Sequence, residues 1–313
     1  MGSIAYLGPA GTFTEAALLQ MIEAGVVPQH GAVHWQPMPV DTTTAALDAV
    51  REELAEFACV PIENSIDGSV TPTLDSLAIG TPLQVFAEHT LDVAFSIVVK
   101  PGITAADVRT LAAFPVALAQ VRQWLAAHLP AAELRPANSN AEAAQQVADG
   151  HVDAAVSSPL AAAQRGLSTL ADGVVDEANA CTRFVLVGQP GPPPARTGAD
   201  RTSVVLRIDN TPSALVSALA EFGIRDIDLT RIESRPTRTE LGTYVFFLDC
   251  VGHIDDDAVA EALKALHRRC TEVRYLGSWP TGELAGAPPP QLGEASRWLA
   301  GLRDGSLGDW SAR

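Results

Sequence analysis

Positive charge is scarce in this chain. Its 21 Lys and Arg face 37 Asp and Glu, a formal charge of −16, and only two of the cations, Lys100 and Lys264, are lysines. A protein of this balance lacks the surplus that neutralises phosphates, which excludes nucleic acid and an anionic membrane as partners. Cysteine is limited to Cys59, Cys181, Cys250 and Cys270. They form no C-x-x-C and no close pair with histidine, which excludes the usual zinc patterns and a disulfide framework. Among seven scattered histidines, His30 and His34 alone stand at i, i+4, in a Gly/Pro-flanked stretch that does not read as a helix, so no metal is expected. No run approaches the ~18 apolar residues of a membrane span. The nucleotide-loop Gly-Lys-Ser/Thr and the G-x-G-x-x-G spacing are both missing, and Ser157-Ser158-Pro159 lacks the glycines of a nucleophile elbow. No cofactor is implied. Residues 1–8 show neither a basic n-region nor an apolar h-region, so the expectation is a cytoplasmic protein.

What is present is ordinary globular composition over 313 residues, 47% hydrophobic and 19% charged, with room for two domains. Short apolar strands alternate with Ala-rich helical patterns. Ile4–Leu7 reads as a strand, Thr14–Ala24 as a helix, Thr42–Glu53 as a helix and Phe57–Ile62 as a buried strand. Leu83–Lys100 reads as extended structure, Ala117–His128 and Ala141–Asp149 as helices, and Ala154–Val156 as a strand. That alternation marks an α/β sheet with helices on both faces. Gly188–Gly198 holds three consecutive prolines between glycines and reads as a linker. Beyond it the order is strand Thr202–Ile208, helix Ser213–Phe222, strands Leu229–Ser234 and Tyr244–Val251, helix Asp256–Arg269 and strand Val273–Leu276. This is a ferredoxin-like βαββαβ unit. A tail over 281–313 follows, with a short helix at Glu294–Leu302 and two tryptophans, Trp298 and Trp310, that could dock it.

Three segments carry candidate chemistry. Gly8-Pro-Ala-Gly-Thr-Phe13 joins a strand to a helix, where backbone N–H groups can meet an anion; a plain tight turn is the alternative. Glu63, Asn64 and Ser65 follow a buried strand, where open α/β sheets bind ligands, or else they cap a helix or shape an Asx turn. Thr182 and Arg183 open the apolar strand before the linker. Arg183 can grip a ligand carboxylate or form a structural ion pair, and both readings stand. In the second unit, Glu233-Ser-Arg-Pro236 ends a strand and Asn210–Leu215 opens a helix. Such positions meet a ligand or a partner subunit, or are a solvated Arg and an ordinary N-cap.

Taken together, Ala5–Glu15, Pro61–Ser65 with Gly68 and Val70, Thr73–Asp75, Ala117–Gln120, Asn138–Ala144, Asn179–Phe184 and Glu233–Pro236 resemble the prephenate dehydratases over about residues 3–280. The second unit resembles an ACT domain, an amino-acid-sensing module. The resemblance implies a catalytic region at 1–190 folded as two lobes, like type 2 periplasmic-binding proteins, about 1–80 plus 165–190 and 81–164. It implies a linker at 191–200, an ACT domain at 201–280, and a monofunctional enzyme. The sequence departs from the family at Phe114, where His is frequent, and at Ser213, where the ACT helix commonly begins Pro-Gly-Ala-Leu.

The implied reaction converts prephenate to phenylpyruvate with loss of CO2 and water, in phenylalanine biosynthesis. Aromatisation drives it, so no cofactor is required. The resemblance puts Arg183 on a substrate carboxylate and Thr182 on the leaving hydroxyl, with Glu63 as an alternative proton donor. Thr12, Asn64 and Ser65 would supply neutral hydrogen bonds, and Phe184 would shape the pocket wall. L-phenylalanine or another aromatic amino acid would bind near Ser213, Ala214, Leu215, Glu233, Ser234 and Arg235, between subunits of a homodimer or homotetramer. The alternatives are an arogenate dehydratase and a non-catalytic amino-acid sensor.

Overall fold

The computed structural model describes residues 2–28, 34–176, 180–237, 242–291 and 293–305. His30, Asn179 and Trp310, named above, lie outside the described residues. The chain divides into two compact units, Met1–Ser76 with Glu88–Gln189, and Leu77–Ala87 with Pro190–Arg313.

The first unit holds two sheets. In the first, the strand order is Trp35–Val40, Gly2–Leu7, Phe57–Asn64, Cys181–Gly188 and Gln84–Asp92, with Gly68–Ser69 folded back on Phe57–Asn64. Gly2–Leu7 runs parallel to both neighbours, and Cys181–Gly188 runs antiparallel to Phe57–Asn64. The ends Leu7, Val40 and Asn64 and the start Cys181 therefore share one end of the sheet. In the second, the order is Ser168–Val174, Phe95–Val99, Ala154–Ser157, Thr110–Ala113 and Glu133–Pro136. Its core is built from Phe95, Ile97, Val99, Leu111, Val121, Leu125 and Val156, all buried.

The lobe boundaries differ from those expected. Gln84–Asp92 pairs into the first sheet and Phe95–Val99 into the second, so the continuous extended run read at Leu83–Lys100 breaks at Val93-Ala94. Ser168–Val174 belongs to the second sheet rather than the first. The chain thus crosses between sheets near 93 and again between 174 and 181. The two crossovers are tied by the Val93 N–H donating to the Ala180 carbonyl at 2.7 Å. The expected helix Ala117–His128 is two helices, Pro115–Ala119 and Arg122–His128. Asp176 accepts from the N–H groups of Gln123 and Trp124, satisfying the second helix's start and fixing the break.

In the second unit, Leu229–Pro236, Tyr244–Val251, Asp200–Arg207 and Glu272–Pro280 form an antiparallel sheet in that order. Helices Ala214–Gly223 and Asp257–Arg269 cover one face through Val204, Leu206, Phe222, Leu248 and Leu266. This is the ferredoxin-like arrangement. Residues 191–199 carry neither helix nor strand. Leu77–Ala87 joins this unit because the Arg274 Nη1 donates to the carbonyls of Leu77 and Gly80 at 3.2 Å each. The tail helix is Gly293–Arg303, and Trp298 on it is 56% exposed, so it does not dock the tail as expected. No helix among the described residues is long and apolar enough to cross a membrane.

Candidate functional site

Between the two sheets of the first unit lies a cleft of about 790 Å³. From the first sheet it is lined by Leu7–Ala10, Thr12–Thr14 and Pro39–Asp41, and from the second by Phe114, Asn138–Asn140 and Glu142. Two helices point their N-termini into it. Phe13–Glu23 begins after Thr12, whose hydroxyl accepts from the Glu15 N–H at 3.3 Å and donates to the Leu7 carbonyl at 3.1 Å. Asn140–Asp149 begins after Ser139, whose hydroxyl accepts from the Glu142 N–H at 3.0 Å. In both, the residue three places on is a glutamate that reaches back to a preceding backbone N–H, Gly11 for Glu15 at 2.6 Å and Asn138 for Glu142 at 3.0 Å. These are variants of the capping box, one from each lobe. Each cap leaves first-turn N–H groups directed along the helix axis toward the cleft, where the positive dipole end favours an anion.

Among the described residues, no Lys or Arg lines this cleft. Its polar groups are neutral apart from Asp41 and Glu142, and Glu142 is turned back on its own helix, where it also accepts from Gln146. Asn140, the first residue of its helix, lines the wall with a buried Oδ1 that meets no hydrogen-bond partner among the described residues. The apolar part of the wall includes Phe13 and Phe114. Phe13 packs edge-on against Phe95 of the second sheet, centroids 5.5 Å apart.

Thr182 and Asn64 stand opposite each other in register at the sheet end, two strands from Leu7 and beside the crossovers. Strand spacing puts that at about 10 Å across the sheet. Asn64 Nδ2 donates to Thr182 Oγ1 at 2.8 Å, while Asn64 Oδ1 accepts from the N–H groups of Ile66 and Asp67 at 2.9 Å each. The Asx turn read as the alternative for Asn64 is therefore present; it fixes the amide, and the fixed amide donates to Thr182. Thr12 is in the cleft wall. The Ser65 hydroxyl accepts from the Cys181 N–H at 2.9 Å, so it braces the strand start. Phe184 is 2% exposed, within the core.

Arg183 follows Thr182 on the same strand. Side chains alternate along a strand, so it points to the opposite face from Thr182. There its Nη2 meets Glu63 at 2.9 Å and its Nη1 meets Glu88 at 3.2 Å. The structural ion pair, the alternative reading of Arg183, is thus present as a triad with Glu63 and Glu88. The donor role considered for Glu63 required burial, whereas its side chain is 42% exposed and paired with Arg183.

In the second unit, register links Arg207 to Val245 and Val245 to Arg235, so the start of helix Ala214–Gly223 lies at the same sheet end as Arg235. Ser213 precedes that helix at φ +66°, a left-handed conformation natural to glycine, and makes no side-chain cap. Glu233, Ser234 and Arg235 lie on the edge strand.

The sequence reading missed the wall residues of the second lobe, Asn138–Asn140 and Glu142, and Asp41. The signal was present as the pair Thr12-x-x-Glu15 and Ser139-x-x-Glu142.

Residues 4–192 match the family model "Prephenate dehydratase" and residues 202–268 match "ACT domain". A curated prephenate dehydratase from Mycobacterium tuberculosis is 79% identical over 97% of this chain and 95% of its own. The solved prephenate dehydratase of Arthrobacter aurescens, in complex with L-Phe, superposes with a TM-score of 0.83 at 38% identity, covering 96% of this chain and 99% of that one. A solved chain described as GqqA, a novel type of quorum quenching acylase, superposes at 0.77 with 29% identity, covering 89% and 97%. The chain belongs to the prephenate dehydratase family, with an ACT domain after its catalytic region, and the reaction is the decarboxylating dehydration of prephenate.

Proposed function

We propose that prephenate lies in the cleft of the first unit with its carboxylates at the helix ends behind Thr12 and Ser139 and its ring hydroxyl toward Thr182. The observation that carries this is the pair of capped helix N-termini, one from each lobe, on a cleft wall to which the described residues contribute no Lys or Arg. A dianion held by N–H groups and dipoles keeps its charge without an arginine, and the donors need no rearrangement during reaction. The Asn64 amide occupies a lone pair of Thr182 Oγ1, leaving the hydroxyl proton to point at the departing hydroxide. As CO2 leaves, its bonding electrons enter the ring and expel that hydroxide, with Thr182 stabilising the developing charge. Arg183 and Glu63 act through the sheet, holding the strand that carries Thr182.

For the second unit, the reading is an effector site for L-phenylalanine or a related aromatic amino acid at Ser213–Leu215 and Glu233–Arg235. It is supported by the L-Phe complex of the Arthrobacter relative. The edge strand Leu229–Pro236 would face the partner in a homodimer or homotetramer.

One assay tests both readings: phenylpyruvate formation from prephenate, with and without L-phenylalanine, in the wild type and in Asn140→Asp. Aspartate at a helix's first position suits the dipole and leaves the fold intact. It sets a negative charge against the substrate carboxylate, so KM should rise about tenfold or more. L-phenylalanine should shift the kinetics of both proteins alike. An unchanged KM in Asn140→Asp would reject the cleft assignment, and indifference to L-phenylalanine would reject the effector.

A further inference from the structure

Glu15 does more than cap its helix. A capping-box glutamate ordinarily sits at the surface and satisfies one backbone donor. Glu15 is 8% exposed and accepts three hydrogen bonds. Its Oε1 takes the Tyr6 hydroxyl at 3.1 Å, and its Oε2 takes the Gly11 N–H at 2.6 Å and the Gln164 Nε2 at 3.0 Å. Burial, with the Glu15 carboxylate beside it, pushes the Tyr6 hydroxyl up, so tyrosine remains the donor of that bond.

The third bond crosses between lobes. Gln164 ends the helix Pro159–Gln164, which leads into the second sheet, whereas Glu15 and Gly11 follow the first strand of the first sheet. Two further contacts run the same way. The Ser158 hydroxyl donates to the Gly11 carbonyl at 2.6 Å, and Arg165 Nη2 reaches the Ala10 carbonyl at 3.4 Å. Both polar backbone groups of Gly11 are thereby engaged, its N–H by Glu15 and its C=O by the second lobe. Gly11 itself sits at φ +91°, and a Cβ there would stand 2.9 Å from the Ala161 Cβ, so the packing leaves room for glycine alone. The turn clamped in this way supplies Gly8, Pro9 and Ala10 to the cleft wall.

The matching glutamate of the other lobe marks what is special. Glu142 also reaches back to a backbone N–H, but its other contact is Gln146, on its own helix. Capping alone thus accounts for Glu142 and leaves the Glu15–Gln164 bond unexplained.

We propose that Glu15 is a positioning residue, strapped by Gln164 to the second lobe, that sets the separation of the two helix ends so that one dianion spans them. This rests on the cleft assignment above. A bond that holds the lobes at the binding-competent spacing acts on the competent fraction, and so on apparent affinity rather than on the chemical step.

The test uses the full chain with prephenate. Gln164 is exposed, so Gln164→Ala keeps the Tyr6 and Gly11 bonds and the fold. KM should rise about 3- to 10-fold with kcat within about twofold and Tm unchanged. Gln164→Glu, which opposes two carboxylates at the strap, should raise KM further, and Glu15→Gln, which keeps an acceptor toward Gly11 and Gln164, should stay near wild type. In Glu15→Ala, the added Gln164→Ala change should have no further effect on KM, a coupling that a purely structural cap does not produce. If Glu15→Ala does not fold, the two Gln164 variants decide alone. Wild-type KM in both overturns the strap. Should Asn140→Asp raise KM while the Gln164 variants do not, the cleft stands and only the strap is lost.

Discussion

Thr182 and Arg183 are adjacent in sequence and differ in their partners. Alternation turns Thr182 toward Asn64 and Arg183 toward Glu63 and Glu88, on opposite faces of one strand. Their substitutions should therefore split cleanly. Thr182→Ala should lower kcat about 100-fold or more while changing stability by only about 1 kcal/mol, the worth of one hydrogen bond. Arg183→Gln removes the cation facing Glu88, whose side chain is 7% exposed. Removing one partner of a buried ion pair costs up to about 3–5 kcal/mol. Thermal unfolding should show the loss, and adding Glu88→Gln should return most of it. A stable Arg183→Gln protein with a raised KM would restore Arg183 as a substrate ligand.

At the scale of elements, two hydrophobic periods made the strands and helices of the second unit readable, to within a few residues of their ends. Ser213–Phe222 against Ala214–Gly223 and Tyr244–Val251 against the same span are examples. What resisted reading depends on partners distant in sequence. The break near Gln120 is set by Asp176, and the split of Leu83–Lys100 by two different sheets, neither visible in a local window. The cleft was half legible. Its first-lobe turn and Thr12 were picked out, whereas Ser139-x-x-Glu142 carried the same motif unrecognised. Helix ends also set acid sensitivity in the second unit. Glu221 on helix Ala214–Gly223 accepts from Arg225 and from Arg269 of the facing helix, at 2.8 and 2.9 Å. The Arg225 bond foremost, then Arg269, hold its carboxyl below the ordinary 4.5 against the opposing effect of burial. A depressed carboxyl stabilises the fold above its unfolded value, and that stability is lost as pH falls through the folded value. Glu221→Gln should lower Tm by about 2–4 °C at pH 7, a loss of about 1–2 kcal/mol. The gap between variant and wild type should close on acidification below about pH 4.5. A gap that persists unchanged at pH 3 would show that the two arginines do not draw their effect from the Glu221 charge.

For the whole molecule, the charge balance and the substrate are at odds. The formal charge is −16, and residues 1–190, which carry the cleft, hold 20 Asp and Glu against 7 Lys and Arg. Of those seven, Arg183 is committed to Glu63 and Glu88, Arg51 to Asp48 and Ser76, and Arg165 to Gln145 and the Gly8–Gly11 turn. On the proposed cleft assignment, a prephenate dianion approaches against a repulsive far field and meets a near field of helix ends. The two ranges respond differently to salt. The screening length falls from about 20 Å at 0.02 M to about 7 Å at 0.2 M, which removes the long-range repulsion. N–H donors in contact with a carboxylate inside a cleft are screened far less. Raising ionic strength over that interval should thus increase kcat/KM, by about 2- to 5-fold, through KM. An enzyme that draws its anion in with placed arginines should show the reverse. A kcat/KM that falls steeply with salt would mean that an unshielded cation, and not the pair of capped helices, meets the substrate first.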